Sequence, residues 1–167
     1  MSVRTLVLVR HSKAAHDAPT DLERSLTAKG QRMAVDLARA LNQRLDGLDS
    51  LLVSPAARAR ETARPIADRL TPADVRVETA IYHSGPQGIL RLLTSLVPAV
   101  STVTVVGHEP TISILAHALH DDRADDLAAQ VSFGVPTATA LLLDVPTSWE
   151  RLTYQHAHLR EIVTVPR

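Results

Sequence analysis

Three short apolar stretches constrain this chain most: Val3 to Val9, SLLVS at Ser50 to Ser54 and TVTVVG at Thr102 to Gly107. Each is rich in Val and Leu and too short for a stable helix, so each reads as a strand buried on both faces. Between them lie TAKGQRMAVDLARALNQRL from Thr27, PAARARETARPIADRL from Pro55 and QGILRLLTSLV from Gln87, where apolar residues recur at three and four, the spacing of an amphipathic helix. Strands alternating with helices predict an α/β fold, and right-handed crossovers place helices on both faces of a mainly parallel sheet, an α/β/α sandwich of three layers. The tail differs: TATALLLDV, WERLTYQH and HLREIVTV read as shorter strands forming a hairpin region on the sheet edge. With no repeat and no linker, residues 1–167 read as one domain.

Composition narrows the chemistry. Aromatic residues are only 2%, so the core must be built from Ala, Leu and Val. Eighteen basic residues balance eighteen acidic ones, with no block of like charge to draw nucleic acid or an anionic membrane. The absence of cysteine excludes disulfides, thiolate zinc sites and thiol nucleophiles. No apolar run is long enough to span a bilayer and no signal-peptide pattern opens the chain, so a cytoplasmic location is expected.

In open α/β sheets the reactive crevice lies beyond the carboxyl ends of the strands. The first run ends on Arg10, His11 and Ser12, the second on Ser54-Pro55 with Arg58 one turn later, and the third on Gly107 and His108. Two guanidinium groups and two imidazoles meeting there suit a compact dianion such as phosphate, because the arginine fork matches phosphate oxygens and the imidazoles add directed donors. Pro55 and Pro110 suit first helical positions, which would aim free backbone N–H groups at the same point.

Together these residues resemble the histidine phosphatase superfamily, the phosphoglycerate mutase-like group, in its short SixA-like branch. The resemblance rests on L-V-R-H at residues 8–11, D-x-x-R-x-L-T-x-x-G from Asp21 to Gly30, S-P-x-x-R-A-x-x-T from Ser54 to Thr62 and V-G-H-x-P from Val106 to Pro110. It implies a phosphoglycerate mutase-like sandwich and a metal-independent phosphatase that needs no cofactor. His11 is then the nucleophile that forms a phosphohistidine, and Arg10, Arg58 and His108 hold the phosphoryl oxygens. Attack requires an unprotonated ring nitrogen, and the flanking Arg10 and Arg58 are expected to lower the pKa of His11 toward that state.

The chain departs from the family pattern at two points. Ser12 stands where Gly usually follows Arg-His, and its hydroxyl either donates to phosphate or fills a turn. An acidic proton donor is expected between the second and third motifs, and only Glu78 and Glu109 are near. Glu109 is also placed to orient His108 or to cap a helix. An alkoxide leaving group needs a proton far more than an imidazole leaving phosphohistidine does, so the missing acid favours a labile N–P bond. The short segment between Tyr82 and Leu90 reads as a loop with little chain for a lid.

The expected partner is a phosphorylated protein carrying phosphohistidine. A small phosphorylated substrate, such as a sugar or nucleotide phosphate, is the alternative, and a non-catalytic phospho-ligand binding module is the rival from another class. Oligomeric state is not written in the sequence. Several further residues have plainer readings. Asp21 and Arg24 form a local ion pair positioning the first loop. His117 and His120, followed by Asp121 and Asp122, read as a helix end and not as a metal site. His156 and His158 read as surface residues sharing one face of a strand, and Trp149 as packing at a hairpin end.

Overall fold

The computed structural model describes residues 2–121, 123 and 125–167. Six strands, β1 (Arg4–Arg10), β2 (Ser50–Val53), β3 (Asp74–Val77), β4 (Thr102–Gly107), β5 (Thr139–Val145) and β6 (His158–Val163), form one sheet in the order β3-β2-β4-β1-β5-β6. The first four in that order run parallel, while β5 lies antiparallel to β1 and β6 antiparallel to β5. This is the mainly parallel α/β fold that the alternation predicts.

Helices α1 (Ala28–Arg44) and α2 (Ala57–Leu70) cover one face. Met33, Leu37 and Leu41 of α1 and Ala59, Ala63 and Ile66 of α2 pack there on Val7, Val9, Leu51, Val53 and Val106. The other face carries α4 (Gly85–Thr94), α5 (Thr111–Leu119) and α6 (Asp126–Val131), while α3 (Ala80–His83) is a single turn after β3. Ile89, Leu93, Ile112 and Leu115 meet Leu6, Leu8, Val103 and Val105 on that side. Successive residues of β1 therefore enter opposite cores, which is why its sequence is continuously apolar instead of alternating.

The loop after β1 is held against α1 by close packing. Thr27 caps α1, accepting from the Gly30 amide at 2.9 Å, and the Thr27 amide donates to the Lys13 carbonyl at 3.0 Å. A Cβ at position 30 would lie 2.0 Å from the Lys13 carbonyl oxygen, so only glycine allows the loop and helix to approach this closely.

Some expectations are corrected. WERLTYQH holds no strand: Trp149–Arg151 is a 3-10 turn, in which buried Trp149 donates its indole N–H to the Val100 carbonyl at 2.7 Å. β3 has no apolar run to announce it, because it is an edge strand with Val75 and Val77 both 53% exposed. The segment from Tyr82 to Leu90 is helical, entering α4 through Gly85 at φ +62°. Neither Pro55 nor Pro110 takes a first helical position. Pro55 precedes Ala56, the N-cap of α2, and Pro110 is itself the N-cap of α5. His156 lies outside β6, in the turn before His158, so the two histidines do not share a strand.

Among the described residues, no helix is long and apolar enough to cross a membrane.

Candidate active site

The carboxyl ends of β1 and β4 are in register, Arg10 pairing with Gly107, so the residues that follow them emerge side by side. His11 and His108 meet there with ring centroids 5.3 Å apart. Arg58, in the first turn of α2, is buried at 6% exposure and directs its Nε–H at His11 Nε2, 3.3 Å away.

Hydrogen bonding assigns the His11 tautomer. Nδ1 lies 2.7 Å from the Ser12 carbonyl, which can only accept, so Nδ1 carries the proton and Nε2 the lone pair. Burial lowers the His11 pKa to about 3, with further lowering from His108, Arg58 and Arg10. The direction agrees with the sequence reading, but the ranking does not: loss of solvent outweighs the arginines. His108 is lowered to about 4, again chiefly by burial and then by Arg58. Both imidazoles are therefore neutral at physiological pH.

Each remaining group is held by a backbone or side-chain partner. His108 Nε2 and the Ser54 hydroxyl are 2.7 Å apart, and Ser54 also accepts from the Ala56 amide at 3.3 Å. Arg10 donates through Nη1 to the Val135 carbonyl at 2.7 Å. Two buried atoms of this cluster, Arg10 Nε and His108 Nδ1, lack a hydrogen-bond partner. An unpaired buried polar group costs on the order of 1–3 kcal/mol, so these two atoms are a cost the folded site carries. Fixed donors around a neutral imidazole can bind a phosphoryl group and offer it a nucleophile.

Asp21 belongs to this cluster, beyond the local ion pair expected of it. The pair with Arg24 exists at 3.1 Å, yet Asp21 also accepts from Arg58 twice, from Nη2 at Oδ2 (3.0 Å) and from Nη1 at its carbonyl (2.7 Å). The Tyr82 hydroxyl donates to the same Oδ2 at 2.6 Å, and its ring stands edge-on to His108 with centroids 5.5 Å apart. The Tyr82 hydrogen bond and then Arg58 hold the Asp21 carboxyl well below the usual carboxylate range, and Asp21 in turn pushes the Tyr82 hydroxyl up. The D-x-x-R spacing drew attention to Asp21; nothing in the sequence pointed to Tyr82.

The Ser12 hydroxyl is committed within the protein. Fully buried, Ser12 donates its hydroxyl to the Gly30 carbonyl at 2.6 Å and its amide to Thr62 Oγ1 at 2.9 Å, tying the loop after β1 to both α1 and α2. Glu78 pairs with Arg76 at 3.5 Å, and among the described residues no hydrogen bond or ion pair joins it to His11, Arg10, Arg58 or His108. Glu109 does not orient His108; it accepts from the Ser113 amide (2.8 Å), the Ser113 hydroxyl (2.7 Å) and the Val135 amide (3.0 Å). It thus braces the start of α5, and its charge opposes the lowering of the Arg10 pKa that burial causes.

Away from this cluster, ligand atoms of His120, Asp125 and His158 lie within 4.8 Å of one another. His120 is nevertheless committed: Nδ1 accepts from the Leu159 amide at 3.0 Å, which leaves Nε2 protonated and facing the Arg123 carbonyl at 3.0 Å. A metal needs a free lone pair that this tautomer does not offer. Asp122 lies outside the described residues.

Comparison with known proteins agrees with this geometry. The sequence profile of the Histidine phosphatase superfamily (branch 1) matches residues 6–81. The chain is 31% identical to protein ML1117 of Mycobacterium leprae, the match covering 90% of this chain and 96% of that one. It is also 31% identical to the phosphohistidine phosphatase SixA of Escherichia coli, over 65% of this chain and 69% of the relative. Among solved structures, SixA from Nakamurella multipartitia superposes with a TM-score of 0.89 at 29% identity, covering 98% of this chain and 96% of that one. With two histidines and two arginines at the strand ends where the fold gathers them, this chain belongs to the histidine phosphatase superfamily and is a phosphatase acting on a phosphorylated substrate.

Proposed function

We propose that this phosphatase hydrolyses phosphohistidine on proteins through a covalent intermediate on His11. The observation that carries the reading is the His11 tautomer, with its lone pair on Nε2 beside the Arg58 Nε–H. Nε2 attacks phosphorus, a P–Nε2 bond forms, and the P–N bond to the substrate imidazole breaks; the substrate ring, protonated on its other nitrogen, leaves as neutral imidazole and needs no proton from the enzyme. Water then attacks phosphorus and the P–Nε2 bond breaks; both water protons leave on the product as dihydrogen phosphate, and His11 regains its Nε2 lone pair with Nδ1 still protonated. Arg10, Arg58 and His108 bind the phosphoryl oxygens throughout, where transfer gains most from fixed positive charge and directed donors.

The placement of the acids supports an N–P substrate over an O–P one. Glu109 is spent bracing α5, Glu78 faces Arg76, and the Asp21 carboxyl is held ionised by Tyr82 and Arg58. A phosphomonoester would need one of them to protonate its alkoxide, whereas an imidazole leaves with little help. The SixA name borne by the Escherichia coli relative points the same way.

The test measures phosphate release, without metal and at neutral pH, by the protein and its His11→Ala variant from a phosphohistidine-bearing protein and from an aryl phosphate. Release from the phosphohistidine donor that drops roughly 10³-fold or more in the variant is expected, since such groups act as a unit. Release from the aryl ester alone would transfer the reading to small phosphomonoesters. Phosphate binding without release from either would leave a binding module.

A further inference from the structure

The single phenylalanine of the chain, Phe133, is 91% exposed. A core short of aromatics has nonetheless left its one Phe in solvent, and its position is tied to the site. Phe133 stands in the turn between α6 and β5, a segment fastened to the phosphoryl-binding cluster at three points. The Val135 carbonyl accepts from Arg10, the Val135 amide donates to Glu109, and the Ala138 amide donates to the His11 carbonyl at 3.1 Å. Gly134 makes the turn at φ +90°, and a Cβ there would come within 3.2 Å of Glu109 Oε2. The turn that delivers Val135 to Arg10 and Glu109 is thus the turn that leaves Phe133 outside.

The preceding residue, Ser132, borders a partly apolar groove. A groove between α5 and α6 is lined by Ser113, Ile114, His117, Ala118, Val131 and Ser132, and Ile114 is itself 51% exposed. Resting on the phosphohistidine reading above, we infer that Phe133 is a docking anchor for the protein that bears the phosphohistidine, received by an apolar patch next to that residue on the partner. A small phosphate ester held by Arg10 and Arg58 gains nothing from an outward-facing ring, but a protein whose phosphoryl group enters the pocket must lie across the rim. Because fully buried Val131 precedes the turn and Val135, bonded to Arg10 and Glu109, follows it, the backbone presents the ring with little ordering cost, a condition that lets one aromatic side chain dominate an interface. One ring and one shallow groove suit a transient encounter burying less than about 1,200 Å², whereas permanent partners generally bury about 2,000 Å² or more.

The experiment compares wild type, Phe133→Ala and Val97→Ala on a histidine-phosphorylated phosphotransfer protein and on phosphoramidate, with sedimentation of each variant. Val97, 62% exposed just before β4, is an apolar control at the opposite end of the sheet. The expected result is a loss of about tenfold in kcat/KM for Phe133→Ala on the phosphoprotein, carried mainly by KM, with phosphoramidate hydrolysis within about twofold of wild type and Val97→Ala unchanged on both. An unchanged phosphoprotein rate in Phe133→Ala, or an equal loss on both substrates, overturns the inference alone. A wild-type dimer that dissociates in Phe133→Ala also overturns it, by assigning the patch to a second copy of the chain. Wild-type inactivity on the phosphoprotein removes the phosphohistidine reading and the inference with it.

Discussion

Arg58 and Asp21 are joined twice, side chain to side chain at 3.0 Å and guanidinium to backbone carbonyl at 2.7 Å, although they lie 37 residues apart. The two bonds occupy Nη2 and Nη1 and leave Nε directed at His11. Asp21 is thereby a positioning residue: it sets the angle at which Arg58 meets the reacting nitrogen.

Asp21→Asn tests this. The substitution keeps the size of the side chain and removes the charge that grips the guanidinium, so kcat/KM for phosphate release should fall roughly 10- to 100-fold. Inhibition by vanadate should weaken in parallel, because the same arginine binds both anions. Melting temperature should fall by no more than a few degrees, since the Asp21 side chain is 49% exposed and only its partner Arg58 is buried, and the Arg58 bond to the Asp21 carbonyl persists. A large loss of stability with unchanged vanadate affinity would assign Asp21 a merely structural role.

The low pKa values of His11 and His108, about 3 and about 4, predict an activity profile without the usual imidazole limb. An ordinary histidine would lose its lone pair as pH falls through 6.5, whereas here kcat/KM, corrected for spontaneous hydrolysis, should stay flat down to about pH 5. Stability should behave oppositely. Below 6.5 the unfolded chain binds protons that the folded His11 and His108 refuse, so stability is full above that pH and falls as pH drops toward the folded values. Each such group costs up to about 1.36 kcal/mol per pH unit in that window. Thermal melts of wild type and His11→Gln between pH 7 and about pH 5 should therefore differ, with the variant losing less on acidification.

Gly30→Ala should damage both stability and activity. The added Cβ would sit 2.0 Å from the Lys13 carbonyl oxygen, and that neighbour is backbone that cannot rotate aside. Overpacking of this kind costs about 1–3 kcal/mol, or roughly 2–12 °C in a chain of this length. The loop that gives way is also the one holding Ser12, whose carbonyl fixes the His11 tautomer, so phosphate release should drop with stability. Calorimetry and the release assay on one preparation would check both.

What the sequence made legible follows burial. β1, β2 and β4 are enclosed on both faces and announce themselves as apolar runs, and the residues just beyond them, His11, His108 and, one turn later, Arg58, are those that the structure gathers. Edge strand β3 carries Asp74 and Arg76 on one face and exposed valines on the other, so no apolar run marks it. Asp21 and Tyr82 meet across 61 residues of chain through α3, a turn too short to leave a periodic signal. The dominance of burial in lowering the His11 pKa was equally hidden, because enclosure is a property of the assembled layers, while neighbouring arginines can be read from the motif.

Glu78 and Glu109, the two carboxylates weighed as proton donors, supply a last prediction, because a general acid and a structural brace respond differently to amide substitution. Glu109→Gln retains an oxygen that can accept from Ser113 or Val135, and Glu78→Gln keeps its size beside Arg76. If neither protonates the leaving group, both variants should hydrolyse a phosphohistidine protein within a few-fold of wild type and leave the alkaline side of the pH profile unmoved. Loss of the braces at Glu109 should appear instead in stability, since one of its carboxylate oxygens serves both the Ser113 hydroxyl and the Val135 amide, and a side-chain amide cannot accept through nitrogen. The melting temperature of Glu109→Gln should fall by a few degrees, consistent with a hydrogen-bond loss of about 1–3 kcal/mol. An alkaline limb in wild type that vanishes in either variant would identify that carboxylate as the proton donor, and would favour phosphomonoesters as substrates.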